Sequence, residues 1–253
     1  MKKILLPVML LMLVAFAACD KESYYHTMSI IKPLQIGVVF ADQDMDTLEF
    51  YTTDNFAITT NQSWATIPDT IKSGNIPNVY RMVWTVVAPV VFEPNTTFDP
   101  NDASDPNTTG KIRDVNVQIN VNGGDDWNQT ATATFRQLYW LSIERPTAKY
   151  SYKEEQINSR KYSVVTGAAF ECEDSATQFT DTLEFYTFGA WTLTDGTFAH
   201  PEVTSGEAGQ HKVPVTIEQN ATVAKRETSV NLTSRGVTTP IKFIQEGKKE
   251  ETN

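Results

Sequence analysis

The chain has 253 residues, with 21 basic against 31 acidic side chains and a formal net charge of −10. That balance excludes ordinary nucleic-acid binding, which needs a basic face. Two cysteines exclude a disulfide scaffold and a cysteine-based zinc site, and 40% apolar content suits two modest cores better than one large one.

In chain order, the first element is a targeting segment. Lys2 and Lys3 form a positive start. An apolar run from Ile4 to Phe16 follows, too short for a stop-transfer helix. Ala17-Ala18-Cys19 then sets small residues directly before a cysteine. This resembles the lipobox of bacterial lipoproteins, with Phe16 where Leu is usual; an ordinary secretory signal is the alternative. The resemblance implies a signal peptide over 1–18, acylation (palmitate) of Cys19, and anchoring in the outer membrane, where several acyl chains suffice for stable attachment. Residues 19–27 are then a lipidated linker. Its Asp20-Lys21-Glu22 reads either as a surface-export signal or as a solvated linker.

The rest of the chain shows no amphipathic helix. It shows short apolar–polar alternations separated by turn signals, as in Val115, Val117, Ile119, Val121 before Gly123-Gly124-Asp125. Such spacing predicts all-β sandwiches. Asp46-Thr47-Leu48-Glu49-Phe50-Tyr51-Thr52 recurs unchanged as residues 181–187, so the architecture is a tandem repeat. Phe56-Ala57-Ile58-Thr59 then matches Trp191-Thr192-Leu193-Thr194, and Ser73-Gly74 matches Ser205-Gly206. Arg113 leads one alternating strand and Arg226 the other; Phe135-Arg136-Gln137 and Phe243-Ile244-Gln245 close the two copies. The expected units are 28–145 and 146–247, joined at Glu144-Arg145-Pro146-Thr147, with a polar tail at 248–253. A stretch rich in Pro, Asn, Asp and Thr, about 93–110, is expected as a surface insertion in the first copy.

These elements in this order resemble the BACON domain family, the Bacteroidetes-associated carbohydrate-binding often N-terminal module. The resemblance rests on Ser63-Trp64-Ala65-Thr66-Ile67, Ser73-Gly74, Trp191-Thr192-Leu193, Ser205-Gly206, Arg226 and Phe243-Ile244-Gln245-Glu246-Gly247. The second copy lacks a counterpart of Trp64, and Phe198 is its nearest aromatic. The resemblance implies two immunoglobulin-like β-sandwiches on the surface of a carbohydrate-using bacterium. It also implies a glycan-binding accessory role in polysaccharide uptake, with a structural spacer or adhesin as the alternative.

Catalytic signatures are missing from the sequence. His26, His200 and His211 stand in no metalloprotease or nucleophile-elbow motif, no phosphate-cradling Gly loop occurs, and no cofactor is expected. Cys172 sits among acidic neighbours and reads as a small buried hydrophobe rather than an activated thiol. Asp99, Asn101, Asp102, Asp105 and Asn107 offer oxygen ligands, but Ser104 and Gly110 stand where a calcium loop wants Gly and Glu. Asn95-Thr96-Thr97 matches a glycosylation sequon, without bearing in a bacterial lipoprotein. Five tryptophans could stack on sugar rings. Trp64 and Trp191 are expected in the cores, Trp140 at the junction, and Trp84 on either face. Trp127, in the hairpin connection Gly123 to Gln129, is the expected sugar platform, with Asp126 and Asn128 beside it. The acidic surface would favour neutral polysaccharide over sulfated or sialylated partners.

Overall fold

The computed structural model describes residues 26–68, 72–78, 81–97, 111–124, 127–145, 151–157, 160–172 and 178–248. Among them the fold is all-β. The first unit contains β1 (Met28–Lys32), β2 (Gly37–Val39), β3 (Met45–Thr52), β4 (Asn55–Thr60), β5 (Ala65–Thr66), β6 (Lys72–Asn78), β7 (Arg81–Phe92), β8 (Arg113–Asn122) and β9 (Asn128–Gln137). The second contains β10 (Ser142–Arg145), β11 (Ser151–Ile157), β12 (Arg160–Cys172), β13 (Phe179–Thr187), β14 (Trp191–Leu193), β15 (Ala199–Pro201), β16 (Ser205–Gly206), β17 (Gly209–Ile217), β18 (Arg226–Ser234) and β19 (Val237–Gln245).

Each unit packs two sheets face to face. In the first, β1-β3-β7-β5 (with β6 also on β7) faces β2-β9-β8-β4; in the second, β10-β13-β17-β15 faces β11-β12-β19-β18-β14-β16. The period of two in the sequence selects the inner faces. In β8 the side chains of Val115, Val117, Ile119 and Val121 are buried, while Asp114, Asn116 and Gln118 face solvent. They meet Leu48 and Phe50 of β3 and Val86, Ala88, Val90 and Phe92 of β7 in one core. Leu183, Phe185, Val213, Val215, Val230, Leu232, Ile241 and Phe243 build the second core in the same way. Phe50, Phe92, Phe135, Phe185 and Phe243 are fully buried, each worth roughly 1.5–3 kcal/mol of apolar transfer.

The repeat extends well beyond its seven identical residues. Arg113 Nε donates to Gln137 Oε1, and Arg226 Nε to Gln245 Oε1, both at 2.8 Å. The far nitrogen of each guanidinium donates to two successive carbonyls, Glu93 and Pro94 in one unit, Glu218 and Gln219 in the other. Arg113 lies over the Trp64 ring at 4.2 Å and Arg226 over the Phe198 ring at 4.3 Å. Phe198 therefore fills the place of the tryptophan that the second copy lacks. The Trp64 and Phe198 carbonyls accept the amides of Glu93 and Glu218, respectively.

Three sequence expectations are corrected here. The junction lies earlier than 144–147. Residues 142–145 form β10, whose pairs with β13 (Ser142 with Tyr186, Ile143 with Phe185) reproduce those of β1 with β3 (Ser29 with Tyr51, Ile30 with Phe50). Leu138, Tyr139 and Trp140 are the buried connection, packed against Ile36, Val38, Phe40 and Ile112. The proline at 146 thus follows the first strand of the second unit rather than ending the first unit.

The insertion is also shorter than 93–110. Asn95 is fully buried, and its Nδ2 donates to the Lys111 and Leu138 carbonyls. Its Oδ1 accepts from the amide and hydroxyl of Thr97. Asn220 does the same with Ala224, Glu246 and Thr222. Residues 93–97 belong to the repeated frame, which leaves 98–110 as the insert. The third correction concerns the Ser-Gly pairs, which form no common turn. Ser73-Gly74 pairs with β7, whereas Ser205-Gly206 pairs with β14 in the opposite layer of its unit.

Candidate functional site

The units join head to tail. Ala41, in the β2–β3 connection of the first unit, is buried in the second unit's core. The next residue, Asp42, has no exposed surface. Its Oδ2 accepts the Phe188 amide at 2.9 Å, and its backbone carbonyl accepts Arg235 Nη1 at 2.9 Å. Arg235 (φ 47°) and Gly236 (φ 80°) make the two-residue β18–β19 turn, both in the left-handed region that such turns require. Leu141 N–H donates to Thr239 Oγ1 across the same joint.

The opposite pole of the first unit is open. Thr53, Asp54, Asn55, Phe56, Trp84, Asn122, Gly123 and Gly124 line a cleft of about 810 Å³ there. The β3–β4 turn supplies Thr53 and Asp54, β4 supplies Asn55 and Phe56, β7 supplies Trp84, and the end of β8 with the β8–β9 connection supplies the rest. Trp84, paired with Thr52, is 39% exposed. Phe56 stands edge-on to Phe50 at 5.1 Å and forms the apolar floor. Asp54 receives Thr53 Oγ1 at 2.7 Å and contacts His26 Nδ1 with both oxygens at 3.0 Å. Among the described residues the wall is polar and acidic, with no lysine or arginine in the lining.

Trp127 is not an exposed platform. Its backbone closes the β8–β9 connection, since its carbonyl accepts the Gly123 amide at 2.9 Å. Its ring is half-buried against the core and stacks on His26, 5.0 Å between centroids at 18°. A side chain at 123 would press into both rings, which explains the glycine there. Asn128 is exposed and pairs with Asn122 at the start of β9. Asp126 and Cys19 lie outside the described residues, as do the calcium-type oxygens of 99–107. Trp191 and Trp140 are buried, Trp64 is half-buried under Arg113, and Cys172 ends β12.

The structure thus places Trp127 half-buried on His26, while the exposed indole beside the cleft is Trp84. Trp84 sits in an alternating strand, and alternation assigns a face without saying what covers it. Elsewhere, His200 lies between Asp195 (2.8 Å) and Glu218 (3.2 Å). The Asp195 hydrogen bond holds its pKa above the usual imidazole value.

No protein-family model matches the chain, and no curated protein does. Among solved structures it is similar to a Bacteroides ovatus GH5 xyloglucanase in complex with a XXXG heptasaccharide. That match has 20% identity and a TM-score of 0.28, over 34% of this chain and 18% of that one. It is also similar to the periplasmic chaperone SfaE, with 10% identity and a TM-score of 0.30 over 87% of this chain and all of that one. The titin Ig tandem A164-A165 gives 9% identity and a TM-score of 0.28 over 89% and 98%. The chain spans less than a fifth of the xyloglucanase. At these TM-scores none of the likenesses says what the chain does.

Proposed function

We propose that this chain is a non-catalytic, lipid-anchored surface module that holds neutral glycan in the cleft of its first sandwich. The observation that carries the reading is the exposed face of Trp84 beside Asp54, Asn55 and Asn122. An aromatic plane stacks on the C–H face of a pyranose, while amides and a carboxylate meet its hydroxyls. No basic group stands among the described lining residues and the net charge is −10, which favours uncharged sugars over sulfated ones. Among the described residues the lining holds one carboxylate, Asp54, already engaged by His26 and Thr53, whereas the usual glycosidase uses a pair.

Strand β1 runs so that Met28 pairs with Thr52, which brings the chain in at the cleft pole. Cys19 precedes His26 by seven residues, a reach of at most roughly 25 Å. An acylated Cys19 would hold the cleft close to the bilayer, facing glycan carried on the membrane. The locked joint between the units favours the second reading, a spacer that carries its outer unit away from the surface.

The test is a glycan screen on protein lacking residues 1–19, beside Trp84→Ala and Trp127→Ala. Binding of a neutral glycan that weakens at least about tenfold in Trp84→Ala is expected, the size of one lost stacking contact. Trp127→Ala should lower the melting temperature instead. Unchanged binding in Trp84→Ala would move the site, and no binding to any glycan would leave the spacer.

A further inference from the structure

The cleft exists because the first unit lacks one strand pairing that the second unit makes. In the second unit β14 is flanked by β18 on one side and β16 on the other, with Trp191 opposite Gly206 and Thr192 opposite Ser205. The indole of Trp191 lies so close that a Cβ on Gly206 would sit 2.7–2.8 Å from it, so the aromatic roofs that glycine. In the first unit β4 takes the place of β14, and Phe56 the place of Trp191, since Phe56 pairs with Val121 as Trp191 pairs with Ser234. The same aromatic contact lies beneath, Phe56 on Phe50 at 5.1 Å and Trp191 on Phe185 at 4.9 Å. Among the described residues β4 has β8 on one edge and no strand on the other. The open edge borders the cleft, because Asn55 and Phe56 line it.

The strand that the second unit lays there carries Ser-Gly, and the first unit has the same dipeptide at Ser73-Gly74. There it pairs with β7 instead, Ser73 opposite Val86 and Gly74 opposite Thr85. Chain length permits either position. Ala65 and Ala199 are equivalent, each paired to the last core residue of the neighbouring strand, Phe92 and Ile217. From Ala199 the second unit reaches Ser205 in six residues, and the first unit has eight from Ala65 to Ser73. On the far side the second unit uses three residues from Gly206 to Gly209, and the first has ten from Gly74 to its equivalent, Trp84.

From this slack we infer that Ser73-Gly74 is a strap that exchanges the β7 edge for the β4 edge. In the second position Gly74 lies over Phe56 and Ser73 opposite Ala57, which fills the cleft beside Trp84. The structure shows the open arrangement, with seven residues of β6 paired to β7. Closing trades those pairs for the β4 edge and for cover over Phe56 and Trp84. Because the strap and a ligand would occupy the same space, whatever fills the cleft holds the strap on β7. The cleft's use for glycan is the reading proposed above, but the exchange itself does not depend on it.

Paired cysteines test the exchange in the full chain with Cys19→Ser and Cys172→Ser removing other thiols. Thr192→Cys with Ser205→Cys is the positive control, since those residues are strand partners in the second unit. Ala57→Cys with Ser73→Cys is the matching pair in the first. Both pairs are expected to oxidise in the same glutathione buffer, as read by mass spectrometry after alkylation. If the control closes and the Ala57/Ser73 pair stays reduced, the strap is overturned. The closed pair should also abolish whatever glycan binding the reduced pair shows, with recovery in dithiothreitol. Closure without any glycan binding would sustain the strap and remove only the glycan reading.

Discussion

Asp42 and Asn95 are fully buried polar residues that tie separate segments together. Burial pushes the Asp42 carboxyl above its ordinary pKa, against the opposing pull of the Phe188 amide, Ser234 and the Arg235 guanidinium. The folded chain therefore keeps this proton at pH values where the unfolded chain has released it. Above about pH 4 the unfolded state binds fewer protons, so the contribution of Asp42 to stability falls as pH rises through its raised pKa. Thermal melts of wild type and Asp42→Asn between about pH 4 and pH 8 check the sign. The melting temperature of wild type minus that of the variant should decline with pH, whereas a flat difference would mean equal ionisation in both states. Asn95 uses all its hydrogen-bonding capacity inside the protein. Asn95→Ala strands the buried Leu138 carbonyl and should cost about 1–3 kcal/mol in denaturant titration. Asn220→Ala should cost a similar amount, because it breaks the same four bonds in the twin frame.

At the level of strands, the two sheets and their inner faces were legible in the sequence. Each runs on a strict period of two, and the copies check one another: Arg113, Gln137, Arg226 and Gln245 take the positions their spacing implies. The Glu-x-Asn-x-Thr of 93–97 and 218–222 was equally visible but hid inside a stretch whose composition says loop. A buried asparagine that ties four backbone and side-chain groups looks, in one dimension, like a solvated one. The Ser-Gly pairs misled in the opposite way. Two identical dipeptides take different partners, because a dipeptide does not by itself specify which sheet edge it joins. Trp84 was not legible either. It shares its face of β7 with the buried Val86, Ala88 and Val90, and alternation gives a face without saying where its cover stops.

For the whole molecule, the joint at 138–141 sets where the chain can be divided. β10 covers an edge of β13, and Leu141 is buried in the second core. A fragment of residues 138–253 should therefore be more soluble and melt higher than one of 146–253, which lacks β10 and bares that edge. Equal behaviour would mean that β10 contributes little to its sheet.

The head-to-tail joint also has a meaning for assembly. A contact between one pole and its opposite, repeated by translation, grows an open filament unless an end is spoiled. The pole of the first unit that corresponds to the joint carries Asp54 where the second unit has Gly189, and Asn122 where it has Arg235. A loop with the chemistry of Asp42 would meet there a carboxylate in place of an open backbone, and an amide in place of the guanidinium that holds the Asp42 carbonyl. The cleft end therefore does not repeat the side chains with which the second unit receives the Asp42 loop.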